Sequence, residues 1–432
     1  MKRFILIPAI LLLLFTSCKK DPDPIGQGLT DAMARDSLYY LMDYWYYWYN
    51  VMPAVNKDNY KNPYELMEAL RYKPLDRWSF VADYNEFIAE MEGDFVGHGI
   101  MIRIDESGKA RIGLIYSRSP LYALGVRRGW VVKSINNVDI APIIISNNSA
   151  AYNAVLGESK EGVTNTFVFE MPDGQVFTIS STKTKFSVNT VLHYDTLHLS
   201  TGVTGHLVLE SFILPTSDEL ATAFAFFKSN NVKDLILDMR YNTGGYLSIA
   251  QTLASYIAGS VATPVNVPFA KLIYNDINQN YNFLYPFKTT VYPLSLTRLV
   301  VITSRLTASA SEAVMNGLSP FLEIIGIGDT TNGKPMGMNG WSVGEKYYYW
   351  PVTFKMVNNN DEGDYFDGLP PLKYVPDDVT RDFDDRNELC LKEAITYLET
   401  GSVSTKGFYP SVRQPWSSEK PGWINRGLTI VP

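Results

Sequence analysis

Between residues 205 and 329 short apolar runs alternate with helical periods, and this constrains the fold more than any other feature. "GHLVLESFI" and "DLILDMR" are compact apolar runs, and between them "TSDELATAFAFFKSNN" sets Leu220, Ala223, Phe224 and Phe227 at i, i+3, i+4 and i+7. The order continues as helix "YLSIAQTLASYIAG", strand "RLVVITS", helix "SEAVMNGLSPF" and strand "EIIGIGD". Strands separated by helices read as an α/β layer with a substantially parallel sheet. Reactive groups in such sheets gather where strands end and helices begin.

Three of these junctions carry chemistry-bearing residues. In "DMRYNTGGYL", Gly244 and Gly245 let backbone N–H groups approach a ligand, which reads as an oxyanion hole, a phosphate cradle or a plain tight turn. "RLTASASEAVMNGL" places Thr307, Ser309 and Ser311 on alternate positions at the head of a helix, with alanines between them that leave space for a substrate. Ser309-x-x-Glu312 is a capping box by spacing, so Ser309 reads either as a cap or as a nucleophile beside the helix dipole. "GIGDTTNGKPMG" copies part of a phosphate-binding loop, but Pro335 stands where a Ser or Thr must hold magnesium, and no long helix follows. Nucleotide binding is therefore rejected. What remains there is Lys334, the only lysine between Ser309 and Lys346.

A serine nucleophile needs a base. His98, His193, His198 and His206 all precede Ser309, and a Ser-His-Asp triad stays open because triads vary in chain order. A Ser–Lys pair is the sharper option, provided burial lowers the lysine pKa from about 10.4 to roughly 7–8.

The rest of the chain reads as three further regions. "MKRFILIPAILLLLFTSCKK" has basic residues, then an apolar run too short to span a bilayer comfortably, which favours a secretory leader. Its Leu-Phe-Thr-Ser-Cys ending resembles a bacterial lipobox, which implies that Cys18 is lipidated. Cys390 is the only other cysteine, so no intramolecular disulfide remains. Residues 19–29 read as a tether. Residues 30–92 read as helical, with eight aromatics among the eleven residues from Tyr39 to Tyr49 that suggest burial on several sides. From Gly93, "IMIRI", "RIGLIY" and "GWVVKSINNVDI" read as strands and "SPLYALGV" as a short helix capped by Ser119. This order resembles a PDZ domain, with Gly97, His98, Gly99 and Ile100 at its peptide-carboxylate loop. A formal charge of −7 without a basic cluster argues against nucleic acid.

Together, "DMRYNTGG", "TASASE" and "NGK" resemble the signature of the C-terminal processing peptidases, the S41 or tail-specific protease family. The resemblance implies Ser309 as nucleophile, Lys334 as general base 25 residues later, and Glu312 as a supporting polar residue. It implies an oxyanion hole at Gly245 and Ala310. The implied architecture is multidomain α/β: a helical region (30–92), a PDZ-like domain (93–185) and a ClpP/crotonase-like layered core (186–405). Residues 406–432 fall outside it. The implied function is a lipid-anchored serine endopeptidase of the bacterial cell envelope, acting on proteins or peptides with no metal or organic cofactor. The rival is a catalytically silent lipoprotein that binds peptide tails or envelope partners. Three positions depart from the family: Asn332 and Pro335 flank Gly333-Lys334 where the family has Phe-Gly-Lys-Gly, and Met338 stands where some members carry a glutamine four residues after the lysine.

Overall fold

The structure is a computed structural model that describes residues 28–262, 267–407, 416–418 and 428–431. The leader and Cys18 lie outside the described residues. Among the described residues no helix is long and apolar enough to cross a membrane.

The predicted α/β layer forms around one six-stranded sheet. Its order is Val191–Leu199, Gly202–Leu209, Asp234–Asp238, Arg298–Thr303, Glu323–Gly328 and Lys373–Tyr374. The first pair is antiparallel and the remaining pairs are parallel. Both faces are covered, which explains the unbroken apolar runs. Leu235, Leu237, Leu299 and Val301 face helices Thr216–Ser229, Leu247–Ala258 and Ala310–Leu318 in one core cluster. Ile236, Val300, Ile302, Ile325 and Ile327 face the other way, against helix Leu389–Thr400 and its buried Cys390, Leu391 and Ala394. The side-chain period of two along each strand makes this division.

A second sheet is ordered Gly244–Tyr246, Leu428–Val431, Met336–Asn339, Val352–Val357, Pro268–Tyr274 and Phe283–Pro286. The "PMGMN" segment is thus a strand where a nucleotide-binding loop would need a helix. Glu323–Gly328 delivers the chain to it through Lys334.

The N-terminal region has three helices, Asp31–Trp45, Pro63–Leu70 and Tyr84–Glu92. Thr30, Asn62 and Asp83 cap them by accepting from Met33, Glu65 and Glu86 N–H groups. It is not wholly helical. Phe80–Asp83 pairs antiparallel with Tyr347–Trp350, which ties this region into the core, and Trp78, Phe80, Tyr349 and Trp350 share one apolar cluster. The aromatic stretch is buried on one side only. The helix ends at Trp45, Tyr46 is fully buried, and Tyr40 stays 70% exposed.

Residues 94–187 form a β-domain entered and left through one ribbon, Asp94–Gly97 against Thr184–Ser187. Its sheet runs Trp416–Ser418, Ile100–Ile104, Ala110–Ile115, Val131–Ile135, Thr164–Glu170 and Val176–Thr182. Ser119 caps the helix Pro120–Ala123 as predicted, accepting from Tyr122 N–H at 3.2 Å.

Candidate active site

Ser309 is the cap residue of helix Ala310–Leu318 and is fully buried. Its φ is +61°, in the left-handed region. A non-glycine residue held there costs of order 1–3 kcal/mol, and such strain gathers at functional positions. The two neighbouring hydroxyls have other duties. Thr307 Oγ1 donates to Met239 O at 2.9 Å, and Ser311 Oγ donates to Asn242 O at 3.0 Å. Ala308 N–H also donates to Asn242 O, at 3.1 Å. Ala308 and Ala310 are both buried, so the small residues let the helix entry approach the Met239–Gly245 loop rather than leave open space. Of the three hydroxyl positions, Ser309 alone has the strained cap geometry.

The glycine pair sits on the same loop. Gly244 N–H donates to Asn242 Oδ1 at 2.9 Å, while Asn242 Nδ2 donates to Leu209 O at 3.2 Å. Gly245 has φ +138°, and a Cβ there would stand 2.2 Å from Phe212 O. Gly244 O and Tyr246 N–H both bond Phe212, at 2.9 and 2.7 Å. Successive residues of a strand turn their N–H groups to opposite sides, so Gly245 N–H faces away from Phe212. Ala310 opens a helix packed beside this strand, where the first amides lack intrahelical partners.

Glu312 joins Ser309 and Lys334. Its Oε2 accepts from Ser309 N–H at 2.7 Å and from Lys334 N–H at 2.9 Å. Its Oε1 accepts from Thr331 Oγ1 at 2.5 Å and Gly333 N–H at 2.6 Å. The backbones of Ser309 and Lys334 are therefore two hydrogen bonds apart through one oxygen. Burial pushes the Glu312 carboxyl up from its ordinary pKa, against four hydrogen bonds that favour its charged form. Gly333 is required for this turn: its φ is +89°, and a Cβ would stand 2.3 Å from Phe366 O.

Lys334 is fully buried, and burial lowers its pKa to about 7, with Asp76 and Glu312 pulling the other way. Its Nζ lies 3.0 Å from Met338 Sδ. The substitution of Met338 for glutamine thus places a weak, uncharged acceptor beside the amine, which does little to hold its proton. Asp76 was not singled out from the sequence. It is a buried carboxylate held by Tyr46 OH at 2.7 Å and by the Trp78 and Ser79 N–H groups, both at 2.9 Å.

The remaining predicted positions lie in the β-domain. His98 is buried, with Nδ1 2.9 Å from Ser181 Oγ and Nε2 2.7 Å from Asn165 Oδ1, and burial lowers its pKa to about 4. Its imidazole thus serves the domain interior. Gly97 pairs with Thr184, Ile100 pairs with Ile115, and Gly99 turns the chain at φ +71° against Ser119. Among the described residues no group of three or more His, Cys, Asp or Glu side chains is placed to hold a metal ion.

An ion network behind the site also escaped the sequence reading. Arg240 forms paired bonds with Glu388 at 2.8 and 3.1 Å, and bonds Asp238 Oδ2 at 2.7 Å and Asp377 at 2.9 Å. Asp377 also accepts from Arg128 of the β-domain at 3.1 Å and from Tyr241 OH at 2.6 Å. These cations hold the Asp377 carboxyl well below the usual carboxylate range. The "DMR" part of the motif thus braces the strand end that leads to Gly245.

Residues 203–369 match the model of peptidase family S41, and residues 34–80 match the peptidase S41 N-terminal domain. The chain is 22% identical over 280 residues to the carboxy-terminal processing protease CtpB of Bacillus subtilis (strain 168), covering 61% of this chain and 53% of that protein. It is 24% identical over 271 residues to a carboxyl-terminal-processing protease of Picosynechococcus sp. (strain ATCC 27264 / PCC 7002 / PR-6), covering 62% of this chain and 61% of that one. The chain thus spans less than two thirds of the length of these relatives. Its fold is similar to a crystal structure described as an S41 protease from Bacteroides fragilis NCTC 9343, with TM-score 0.69, 20% identity, and 85% and 97% of the two chains covered. The two matched segments take in the aromatic N-terminal helix and the junctions around Gly245, Ser309 and Lys334.

Proposed function

We propose that the chain is a serine endopeptidase that cleaves proteins or peptides through a Ser309–Lys334 pair. The observation that carries this reading is Lys334: fully buried, with a pKa of about 7, and tied through Glu312 to the strained Ser309. Neutral Lys334 takes the proton from Ser309 Oγ as that oxygen attacks the scissile carbonyl carbon. Gly245 and Ala310 N–H groups stabilise the resulting oxyanion. The tetrahedral adduct collapses to an acyl-enzyme, and the Lys334 ammonium returns its proton to the leaving amine. Water, deprotonated by Lys334, then attacks the ester, and the Lys334 ammonium returns this proton to Ser309 Oγ as the carboxylic acid product leaves. Glu312 is a positioning residue in this scheme, since it holds backbone amides on both sides of the pair.

The β-domain is read as a PDZ domain that receives substrate tails at the edge of Ile100–Ile104. The strand order and the Ser119-capped helix support this reading. A lipid on Cys18 and residence in the cell envelope complete the proposal, supported by the leader sequence. Incubation of the purified chain with unstructured peptides, followed by mass mapping of the products, tests the activity. Cleavage that disappears in Ser309→Ala and Lys334→Met is the expected result. Intact peptides with every folded form of the chain would instead favour a silent peptide-binding protein.

A further inference from the structure

The family resemblance left residues 406–432 without a role, yet two strands of this segment enter the sheets that frame the site. Trp416–Ser418 adds antiparallel to the free edge of Ile100–Ile104, with Ser418 opposite Met101 and Trp416 opposite Arg103. The helix Ala141–Ile145 lies against both strands, so the added strand runs between a sheet edge and a helix. Its register starts beside the Gly97–Ile100 turn. Leu428–Val431 then inserts between the Gly245 strand and Met336–Asn339. It runs parallel to both: Gly244, Gly245 and Tyr246 stand opposite Leu428, Thr429 and Ile430, and Ile430 is also opposite Met338.

The second insertion falls on the chemistry. Gly244 and Tyr246 bond Phe212 on one side, so the ladder turns the Gly245 amide toward the tail strand. In the sheet order the tail strand is what joins Gly244–Tyr246 to Met336–Asn339. Without it, two strand edges would face each other, each offering backbone groups to an extended peptide.

We propose that the strands Trp416–Ser418 and Leu428–Val431 act as an intramolecular peptide ligand, occupying a two-part strand-binding track at the β-domain edge and at the Gly245 strand. An extended segment of a substrate protein binds the same track by displacing it. Because strand addition is read by the backbone, the tail and substrates of unrelated sequence compete for one track. Tethering gives the tail an effective concentration in the millimolar range, so it outcompetes dilute peptides and keeps the site covered. The inference rests on the proposed role of Gly245 for its catalytic consequence, but not for the binding itself.

The test separates the two. A chain ending after Gly407 and carrying Ser309→Ala is mixed with a fluorescein-labelled peptide of residues 414–431, and anisotropy is read. Saturable binding, much weaker to the Ser309→Ala chain that keeps its tail, is expected. No binding to the folded shortened chain overturns the proposal. A second arm keeps the full chain and introduces Ile430→Pro, which breaks the ladder at the tail position paired on both sides. Fluorophosphonate labelling of Ser309 is expected to accelerate in Ile430→Pro and in the chain ending after Gly407, by about tenfold if one chain in ten is normally tail-free. Measurable labelling at equal rates in all three forms overturns the proposal. Peptide binding with no labelling of any form supports the track and counts against the peptidase reading alone.

Discussion

At the scale of single residues, burial lowers the Lys334 pKa to about 7, which suits the general base proposed for it. The neutral form dominates above a pKa of about 7. Activity is therefore expected to rise with pH through that midpoint, read as kcat/KM against pH. The same burial has a stability consequence of definite sign. Above the unfolded pKa of about 10.4 both states hold a neutral amine, and burial carries no charge cost. As pH falls toward 7 the unfolded chain takes up the proton first, so the folded state loses relative stability over that range. Below pH 7 the cost is complete, of order 3–5 kcal/mol for a shift of this size. Lys334→Met is expected to raise the melting temperature at pH 6 and to lose that advantage as pH approaches 10. Scanning calorimetry across pH checks both. Glu312→Ala strands the Ser309, Gly333 and Lys334 amides away from their acceptor. Buried amides left so cost about 1–3 kcal/mol each. A fall in kcat with KM nearly unchanged is the signature of misplaced chemistry, and steady-state kinetics on a peptide substrate would read it.

Elements matter because no single one builds the site. The Gly245 loop, the Ser309 helix cap and the Gly333–Lys334 turn come from three successive junctions of the sheet. Asn242 and Glu312 tie them together. Behind them, Arg240 joins the strand end to helix Leu389–Thr400 through Glu388. Removing one partner of a buried pair leaves an uncompensated charge and costs about 3–5 kcal/mol. Glu388→Gln is accordingly expected to lower the unfolding free energy by that order, and Arg240→Met with Glu388→Leu to lower it further, because buried Asp238 then loses its cation. Chemical denaturation of the single and double variants decides this.

The whole molecule shows which signals a sequence carries well. The strand and helix order of the core was legible because both sheet faces are buried, so its strands are unbroken apolar runs between amphipathic helices. Ser309, Glu312, Lys334 and the glycine pair, which the structure brings together, could be singled out because each junction writes its residues in one short stretch. Asp76, Asp377 and Glu388 were not, since their partners lie far along the chain: Arg240 and Glu388 are 148 positions apart. Phe80–Asp83 was read as part of a helical region because its strand identity comes from Tyr347–Trp350, a partner elsewhere in the chain. The tail strands escaped for a related reason. Their pairing is made by backbone groups, which every residue but proline supplies.

The Ser309–Lys334 pair is best tested by the rate at which a fluorophosphonate labels Ser309 across pH, in the chain ending after Gly407 and in its Lys334→Met form. A rate that rises through a midpoint near 7 and loses that rise in Lys334→Met is the expected result. A label on another residue, or a pH profile unchanged by Lys334→Met, would contradict the assignment of Lys334 as the base.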